Sequence, residues 1–314
     1  MHPIRIFHSP RYEADIGEHI MPIRKFGLVR AALEADPRAD LRAPTPVTDE
    51  DLLRVHTPEY IAAIRTGEPL ALAQSQKFPW SPGLAESVRW TNGGCIAALD
   101  AALEDGIAGN LASGFHHSHG PHGEGFCTFN GLVVAYERLR AEGRLRRLLV
   151  VDMDLHYGNG TAALAATRPD LFALSIYGNW YEKNLAHRDV THARAPDTEN
   201  ARSYPVPAGA GGEQYHAILE EALGPAIEKS RPDAILYQAG ADPYREDPYS
   251  PLNLDHADLR ERDRRVFAAA NAAGIPIAYV LAGGYTKDVS RVVEVHVNTF
   301  RAACDVFRPS PTPA

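Results

Sequence analysis

Short apolar runs that alternate with longer helical patterns are the feature of this 314-residue sequence that most constrains its fold. The runs have the length of strands and read as nearly continuous hydrophobic segments, as strands do when both faces of a sheet are covered. We predict strands at residues 4–7, 148–151, 171–176, 234–237 and 277–281. Helices are predicted at 23–34, 83–104, 132–142, 214–229, 257–273 and 288–304, with Pro225 kinking or splitting the fourth. The alternation predicts an α/β fold: a single doubly wound domain with a central parallel sheet flanked by helices.

The composition narrows the classes of protein that the chain can represent. Hydrophobic residues make up 45% and charged residues 23%, as in ordinary globular proteins. The formal net charge of -8 argues against nucleic-acid and membrane partners, and no apolar run suggests a membrane span or signal peptide. Three cysteines without a paired motif favour a reducing, cytoplasmic location. We expect a domain at 1–307 and a disordered, proline-rich tail at 308–314; the sequence leaves the oligomeric state open.

Residues able to bind a metal follow the ends of two predicted strands. Asp154 and His156 come after the strand at 148–151, and Asp242 comes after the strand at 234–237. Side chains two residues apart share a face for as long as strand geometry lasts, and α/β folds bind ligands at the carboxyl ends of their strands. Three such ligands with an open position are typical of a catalytic zinc site. The alternative is a carboxylate that caps the next helix beside an ordinary core histidine.

Two adjacent histidines, His116 and His117, are candidate proton-transfer groups. In a loop after a strand both rings can face a cleft and act as base and acid around a metal-bound water. Asp152 and Asn159 offer one partner to each ring; a carboxylate keeps an imidazole charged more easily than an amide does. A surface pair is the alternative. Two further histidines are expected to be exposed on a mobile Gly/Pro loop, namely His119 and His122.

Two glycine-containing segments add aromatic candidates. Tyr285 follows Gly283 and Gly284 after the last predicted strand, where glycines allow close backbone approach and the phenol can donate a hydrogen bond. The alternative for Tyr285 is a tyrosine that packs in a loop. Phe126 follows Gly125 and can wall a channel, although an aromatic residue at such a position is more often part of the core.

Taken together, these segments resemble the zinc-dependent histone deacetylase family, which has the arginase–deacetylase fold. The resemblance covers about residues 7–306 and rests on HSPRYEADIGEHIMPIRKF, VHTPEYI, GFHHSHGPHGEGFCTFN, VVDMDLHYGNGT, YQAGADPYREDP and LAGGY, in this order. The phrases FPWSPGL, GEGFCTFN and HYGNGT are most similar to bacterial relatives of class IV.

The resemblance implies a function for each group of candidate residues. One Zn²⁺ per chain is implied at Asp154, His156 and Asp242. Catalytic roles are implied for His116, His117, Tyr285, Asp152 and Asn159, with His117 as general base and acid. An acyl-lysine tunnel is implied to be formed by Gly125, Phe126, Trp180, Tyr249, Gly283 and Gly284. A structural K⁺ is implied at the backbone carbonyls of Asp152, Asp154, His156, Ser175 and Ile176.

The implied activity is removal of an acyl group from the ε-amino group of lysine in a peptide or protein, or from a similar amine. Two departures from the family pattern are Ala282, where the family commonly has glycine, and Tyr249, where a smaller apolar residue is common at the tunnel mouth. The second departure leaves acetylpolyamines or other small amides open as substrates. A non-catalytic acyl-lysine binding module is disfavoured because the ligands, base and tyrosine are all present. A binuclear manganese enzyme would need more bridging carboxylates than the sequence offers.

Overall fold

Eight parallel strands form one continuous sheet, and helices flank it. The computed structural model describes residues 2–178 and 197–308. The strands, β1 to β8, are Ile4–Phe7, Ala39–Arg42, Ile107–Ser113, Leu148–Asp152, Leu171–Tyr177, Ala201–Pro205, Ala234–Ala239 and Ile277–Leu281. The helices, α1 to α10, are Lys25–Leu33, Asp49–Leu53, Pro58–Thr66, Leu70–Ala73, Pro82–Asp105, Gly131–Ala141, Asn159–Ala165, Gly212–Ser230, His256–Ala272 and Val289–Phe307. Of the helices in these two ranges, none has both the length and the apolar character needed to cross a bilayer.

The strand order explains why one edge of the sheet collects the candidate residues. Neighbouring strands follow the order β2-β1-β3-β8-β7-β4-β5-β6. Every residue of β4, β7 and β8 is buried, which accounts for their uninterrupted apolar sequences. Strands β4, β5 and β6 are added outward from the middle of the sheet. Strands β7 and β8 then fill the gap between β4 and β3, so the direction in which strands are added reverses beside β4. Ligands bind at such switch points in open parallel sheets.

All five predicted strands are confirmed, and three others were not predicted. β2 and β6 are short strands at the two edges of the sheet, and β3 contains Gly109 and Asn110. A Cβ on Gly109 would collide with the Tyr279 ring, and Asn110 is buried because its side-chain carbonyl accepts a hydrogen bond from the Tyr12 hydroxyl at 2.8 Å. Tertiary contacts therefore place a polar residue inside β3. Helix α8 runs without interruption through Pro225, so the predicted splitting does not occur.

A buried ion pair on α9 ties the ends of two central strands together. Arg262 and Asp263 are both completely buried. The Arg262 guanidinium donates to the carbonyl oxygens of Gly240, at 2.7 Å, and Met153, at 3.2 Å. Asp263 accepts from the Arg262 Nε at 2.9 Å and from the Tyr237 hydroxyl at 2.5 Å. Removal of one partner alone would leave an uncompensated buried charge, which costs about 3–5 kcal/mol.

Candidate active site

Three metal-ligating side chains converge at the carboxyl ends of β4 and β7. The His156 Nδ1 lies 3.0 Å from Asp154 Oδ1 and 3.1 Å from Asp242 Oδ2, and all three residues are buried. β4 ends at Asp152, so Asp154 and His156 lie on the bends beyond the strand. The expected strand alternation is therefore wrong in this detail, although the predicted residues do come together. They form a cluster whose ligand atoms lie within 4.8 Å of one another.

Backbone groups hold the outer oxygens of the two carboxylates. The Gly283 N–H donates to Asp154 Oδ2 at 2.8 Å, and the Leu155 N–H donates to Asp242 Oδ1 at 3.0 Å. A Cβ on Gly283 would collide with the Asp242 carboxylate, so only glycine allows this approach. The inner oxygens and the imidazole nitrogen are thereby aimed at a common point.

The charges and spacing of this cluster fit a dication. Burial raises the pKa of Asp154, but His116 and His156 lower it by more, so this carboxyl group is ionised. Burial, followed by the charge of Asp154, raises the pKa of Asp242 to about 6. Zinc bonds of about 2.0–2.1 Å separate tetrahedral ligand atoms by roughly 3.3–3.4 Å. The observed separations are slightly shorter, so a small outward shift would accommodate the ion.

His116 faces the metal-ligand cluster with a carboxylate behind it. Its Nδ1 lies 2.6 Å from Asp152 Oδ2, and its Nε2 lies 3.7 Å from Asp154 Oδ1. Burial lowers the pKa of His116, but the charges of Asp152 and Asp154 raise it by more, leaving it above its ordinary value. This direction is the one expected for an imidazole with a carboxylate behind it, because the carboxylate favours the charged ring.

His117 has an amide behind it, and the orientation of that amide determines which nitrogen carries the proton. The Asn159 Oδ1 lies 2.7 Å from His117 Nδ1, while the Asn159 Nδ2 donates to Glu124 Oε2 at 3.1 Å. A carboxylate accepts only, so the amide nitrogen must face Glu124 and the amide oxygen must face His117. His117 Nδ1 is consequently a donor, and in the neutral ring Nε2 is the basic atom.

Tyr285 stands over the metal-ligand cluster on the loop after β8. Its ring centroid is 6.3 Å from that of His156, and burial raises the pKa of the phenol well above its usual value. Asp247 holds this loop, because its carboxylate accepts from the Tyr285 N–H at 2.7 Å and from the Tyr249 N–H at 3.0 Å. Tyr249 is buried and packs edge-to-face against Tyr285, with ring centroids 5.2 Å apart. Tyr249 is therefore next to the cluster.

A largely apolar cleft leads to these groups. Its lining includes the predicted tunnel residues Gly125 and Phe126, together with Tyr285 and Gly283. Phe126 has a positive φ of 65°, which is unusual for a bulky residue, and its ring lies 5.4 Å from that of Phe78. This strained backbone turns the ring into the cleft wall. Trp180, the other predicted wall residue, lies outside the described residues.

Two charged residues beside the site were not predicted. Lys25 is completely buried, and its Nζ donates to the Ala282 carbonyl oxygen at 2.6 Å. Burial lowers the pKa of Lys25 to about 8, with Asp242 the main opposing charge. Burial also raises the pKa of Asp247 to about 7. Both residues lie within motifs that carry the family resemblance, but Lys25 begins a helix and reads in sequence like a surface lysine.

An eight-stranded parallel sheet flanked by helices, with its cleft where the central strands end, is the arginase–deacetylase fold. Residues 19–300 match the family described as "Histone deacetylase domain". The chain therefore belongs to the histone deacetylase family, and the resemblance found in the sequence is confirmed.

Relatives and solved structures agree with this assignment. The chain is 32% identical to a histone deacetylase-like amidohydrolase of Pseudomonas aeruginosa over 258 residues, which are 80% of this chain and 67% of the relative. It is 32% identical to an uncharacterized protein of Picosynechococcus sp. over 309 residues, 96% of this chain and 99% of the relative. The HD domain of HDA15 superposes with a TM-score of 0.82 at 19% identity, covering 99% of this chain and 90% of that one. An acetylpolyamine aminohydrolase from Burkholderia pseudomallei superposes with a TM-score of 0.75 at 20% identity, and the match covers 96% of this chain and 99% of that one.

Proposed function

We propose that this protein is a zinc-dependent amidohydrolase that removes acetyl or other acyl groups from the ε-amino group of lysine. The observation that carries the proposal is the convergence of Asp154, His156 and Asp242 with His117 and Tyr285 at one end of the sheet. These groups supply metal ligands, a base and a hydrogen-bond donor, which together suffice for hydrolysis of an unactivated amide.

Asp154, His156 and Asp242 would hold the metal. When bound, Zn²⁺ supplies a Lewis acid that polarises the amide carbonyl and makes water more acidic. The O, N, O donor set also suits iron(II) or cobalt(II), so the native metal is a matter for elemental analysis. We also propose the K⁺ site at the strand-end carbonyls, a proposal supported by the side-by-side register of Asp152 with Ser175.

His117 acts as the proton carrier in this proposal. Its Nε2 takes a proton from the attacking water, since Nδ1 is already a donor to Asn159. The same nitrogen then returns the proton to the leaving amine, so that the product leaves as a neutral amine. The charged form of His116, which Asp152 favours, would contribute positive potential where negative charge develops.

Tyr285 stabilises the carbonyl oxygen as it becomes negative. Burial keeps the phenol neutral, and a neutral phenol can donate one hydrogen bond. Loss of one such donor costs about 10²–10³ in kcat, or roughly 3–4 kcal/mol. The phenyl ring of Tyr285→Phe would still fill the same space, so the loss should appear in kcat more than in KM.

The test is release of acetate from an acetyl-lysine peptide, free acetyl-lysine and acetylated diamines by zinc-reconstituted protein. We expect turnover of acetyl-lysine substrates and near-complete loss in Tyr285→Phe with the metal content unchanged. Tyr279→Phe is the matched control, because it removes the phenol oxygen of a completely buried tyrosine on β8 itself. Turnover of acetylated diamines alone would select the polyamine alternative. Substrate binding without acetate release in a single turnover would instead indicate a binding module.

A further inference from the structure

A second cluster of metal-ligating side chains lies behind His117, on the opposite side of Asn159. His119, His122 and Glu124 each offer a ligand atom, and these atoms lie within 4.8 Å of one another. The two imidazole rings are stacked, with centroids 4.8 Å apart and planes inclined by 14°. His119 Nε2 lies 3.3 Å from Glu124 Oε2. Glu124 is 8% exposed, so its carboxylate is an anchored group and not a surface charge.

The backbone of the loop that carries these histidines is hydrogen-bonded to neighbouring segments. The His119 N–H donates to the His122 carbonyl oxygen at 3.0 Å, which closes a tight turn. The Nδ1 of the buried His56 lies 3.0 Å from the His119 carbonyl oxygen, and the Thr57 N–H donates to the Gly120 carbonyl oxygen at 3.1 Å. The stacked rings are therefore presented on a fixed backbone, which lowers the entropy cost of binding a ligand.

We propose that His119, His122 and Glu124 form a second divalent-metal site, distinct from the one at Asp154. Two imidazoles and one carboxylate are a donor set that Zn²⁺, Co²⁺ and Ni²⁺ accept readily. Both histidines are partly exposed to solvent, so this metal can enter without passing through the cleft. With three protein ligands and an open side, it should exchange more easily than a buried metal.

The second site is connected to the catalytic base through one shared carboxylate. Glu124 Oε2 accepts from the Asn159 amide, and the Asn159 oxygen in turn accepts from His117 Nδ1. A dication on Glu124 would neutralise the charge that orients this amide. On the proposed function, occupation of the second site should therefore lower kcat and leave KM unchanged, because Glu124 is not among the residues that line the cleft.

Metal stoichiometry tests the site independently of any activity. Chelator-stripped protein is titrated with Zn²⁺ or Co²⁺ by calorimetry and by dialysis with elemental analysis. We expect two equivalents in the wild type, one in His122→Ala, one in Asp242→Ala and none in the double variant. His256→Ala is the matched control, since it removes an imidazole that lies 3.5 Å from a carboxylate, Glu294, outside both clusters; it should bind two equivalents.

Two outcomes overturn the second site: a wild type that binds one equivalent, or a His122→Ala variant that still binds two. If Asp242→Ala loses metal and His122→Ala binds as much metal as the wild type, the second site is excluded and the first is retained. If Asp242→Ala does not fold, the comparison of wild type with His122→Ala decides alone. In the kinetic arm, Zn²⁺ beyond the first equivalent should lower kcat severalfold in the wild type and in His256→Ala, and not in His122→Ala. Full kcat with both sites loaded would disprove the link through Glu124.

Discussion

Binding of a metal at Asp154, His156 and Asp242 should release a proton from His156. Burial lowers the pKa of His156, but its contacts with the two carboxylates outweigh this effect and raise the pKa to about 10. The metal-free ring is therefore an imidazolium at neutral pH, with its Nδ1 proton between Asp154 Oδ1 and Asp242 Oδ2. A metal must displace that proton, because an imidazole nitrogen binds a metal only through its lone pair.

The size of the effect follows from this pKa. At pH 7.5 more than about 99% of the metal-free rings are protonated, so binding should release about one proton per metal. A pKa of about 10 exceeds this pH by about 2.5, and the competing proton therefore weakens metal binding by roughly 3.4 kcal/mol. Affinity should rise about tenfold for each pH unit between about 7 and 9. Below about pH 6 the dependence should steepen, because the raised pKa of Asp242 adds a second competing proton.

Calorimetric titration in buffers with different ionisation enthalpies measures the released protons directly. We would use chelator-stripped His122→Ala, so that the first site is observed without the proposed second one. A release below about 0.3 proton at pH 7.5, or an affinity that does not change between pH 7 and 9, would contradict this account of the site. Either result would mean that His156 is neutral in the metal-free protein, or that Nδ1 is not the ligand atom.

Three further predictions concern single substitutions. Asn159→Asp should raise the pKa of His117 by placing a charge behind it, which moves the acidic limb of the kcat/KM profile to higher pH; an unmoved limb would exclude this pairing. Tyr249→Leu should improve kcat/KM for acetyl-lysine peptides more than for free acetyl-lysine, and an equal change would show that Tyr249 does not face the substrate. Gly283→Ala should lower metal affinity more than about tenfold while the fold persists, since its Cβ would collide with carboxylate oxygens. Gly224→Ala has open space in helix α8 and is the control, with unchanged metal content expected.

The groups that could be predicted from the sequence are those that follow uninterrupted apolar strands. Asp154 and Asp242 come shortly after strands whose residues are all buried, so their position at one edge follows from parallel topology alone. The tandem histidines follow β3, whose glycine and asparagine hide it from a search for apolar runs. The motif, and not the strand before it, therefore predicts the position of these histidines.

The features that could not be predicted from the sequence depend on contacts between distant segments. Lys25 is buried because its ammonium group reaches the Ala282 carbonyl oxygen, 257 residues away in the chain. The orientation of the Asn159 amide depends on Glu124, which lies 35 residues away in the chain. Residue type and periodicity predict contacts within one helix or strand, whereas both of these contacts join segments that are distant in the chain.

The position of Arg262 affects how variants of this protein should be classified. It lies on α9, which contributes none of the described residues that line the cleft, yet its guanidinium binds the carbonyls beside Asp154 and Asp242. Substitution of Arg262 frees both strand ends at once. We therefore expect such a variant to lose metal retention as well as stability. A survey that ranks positions by distance from the substrate would label it a stability mutant only and would miss its effect on the metal site.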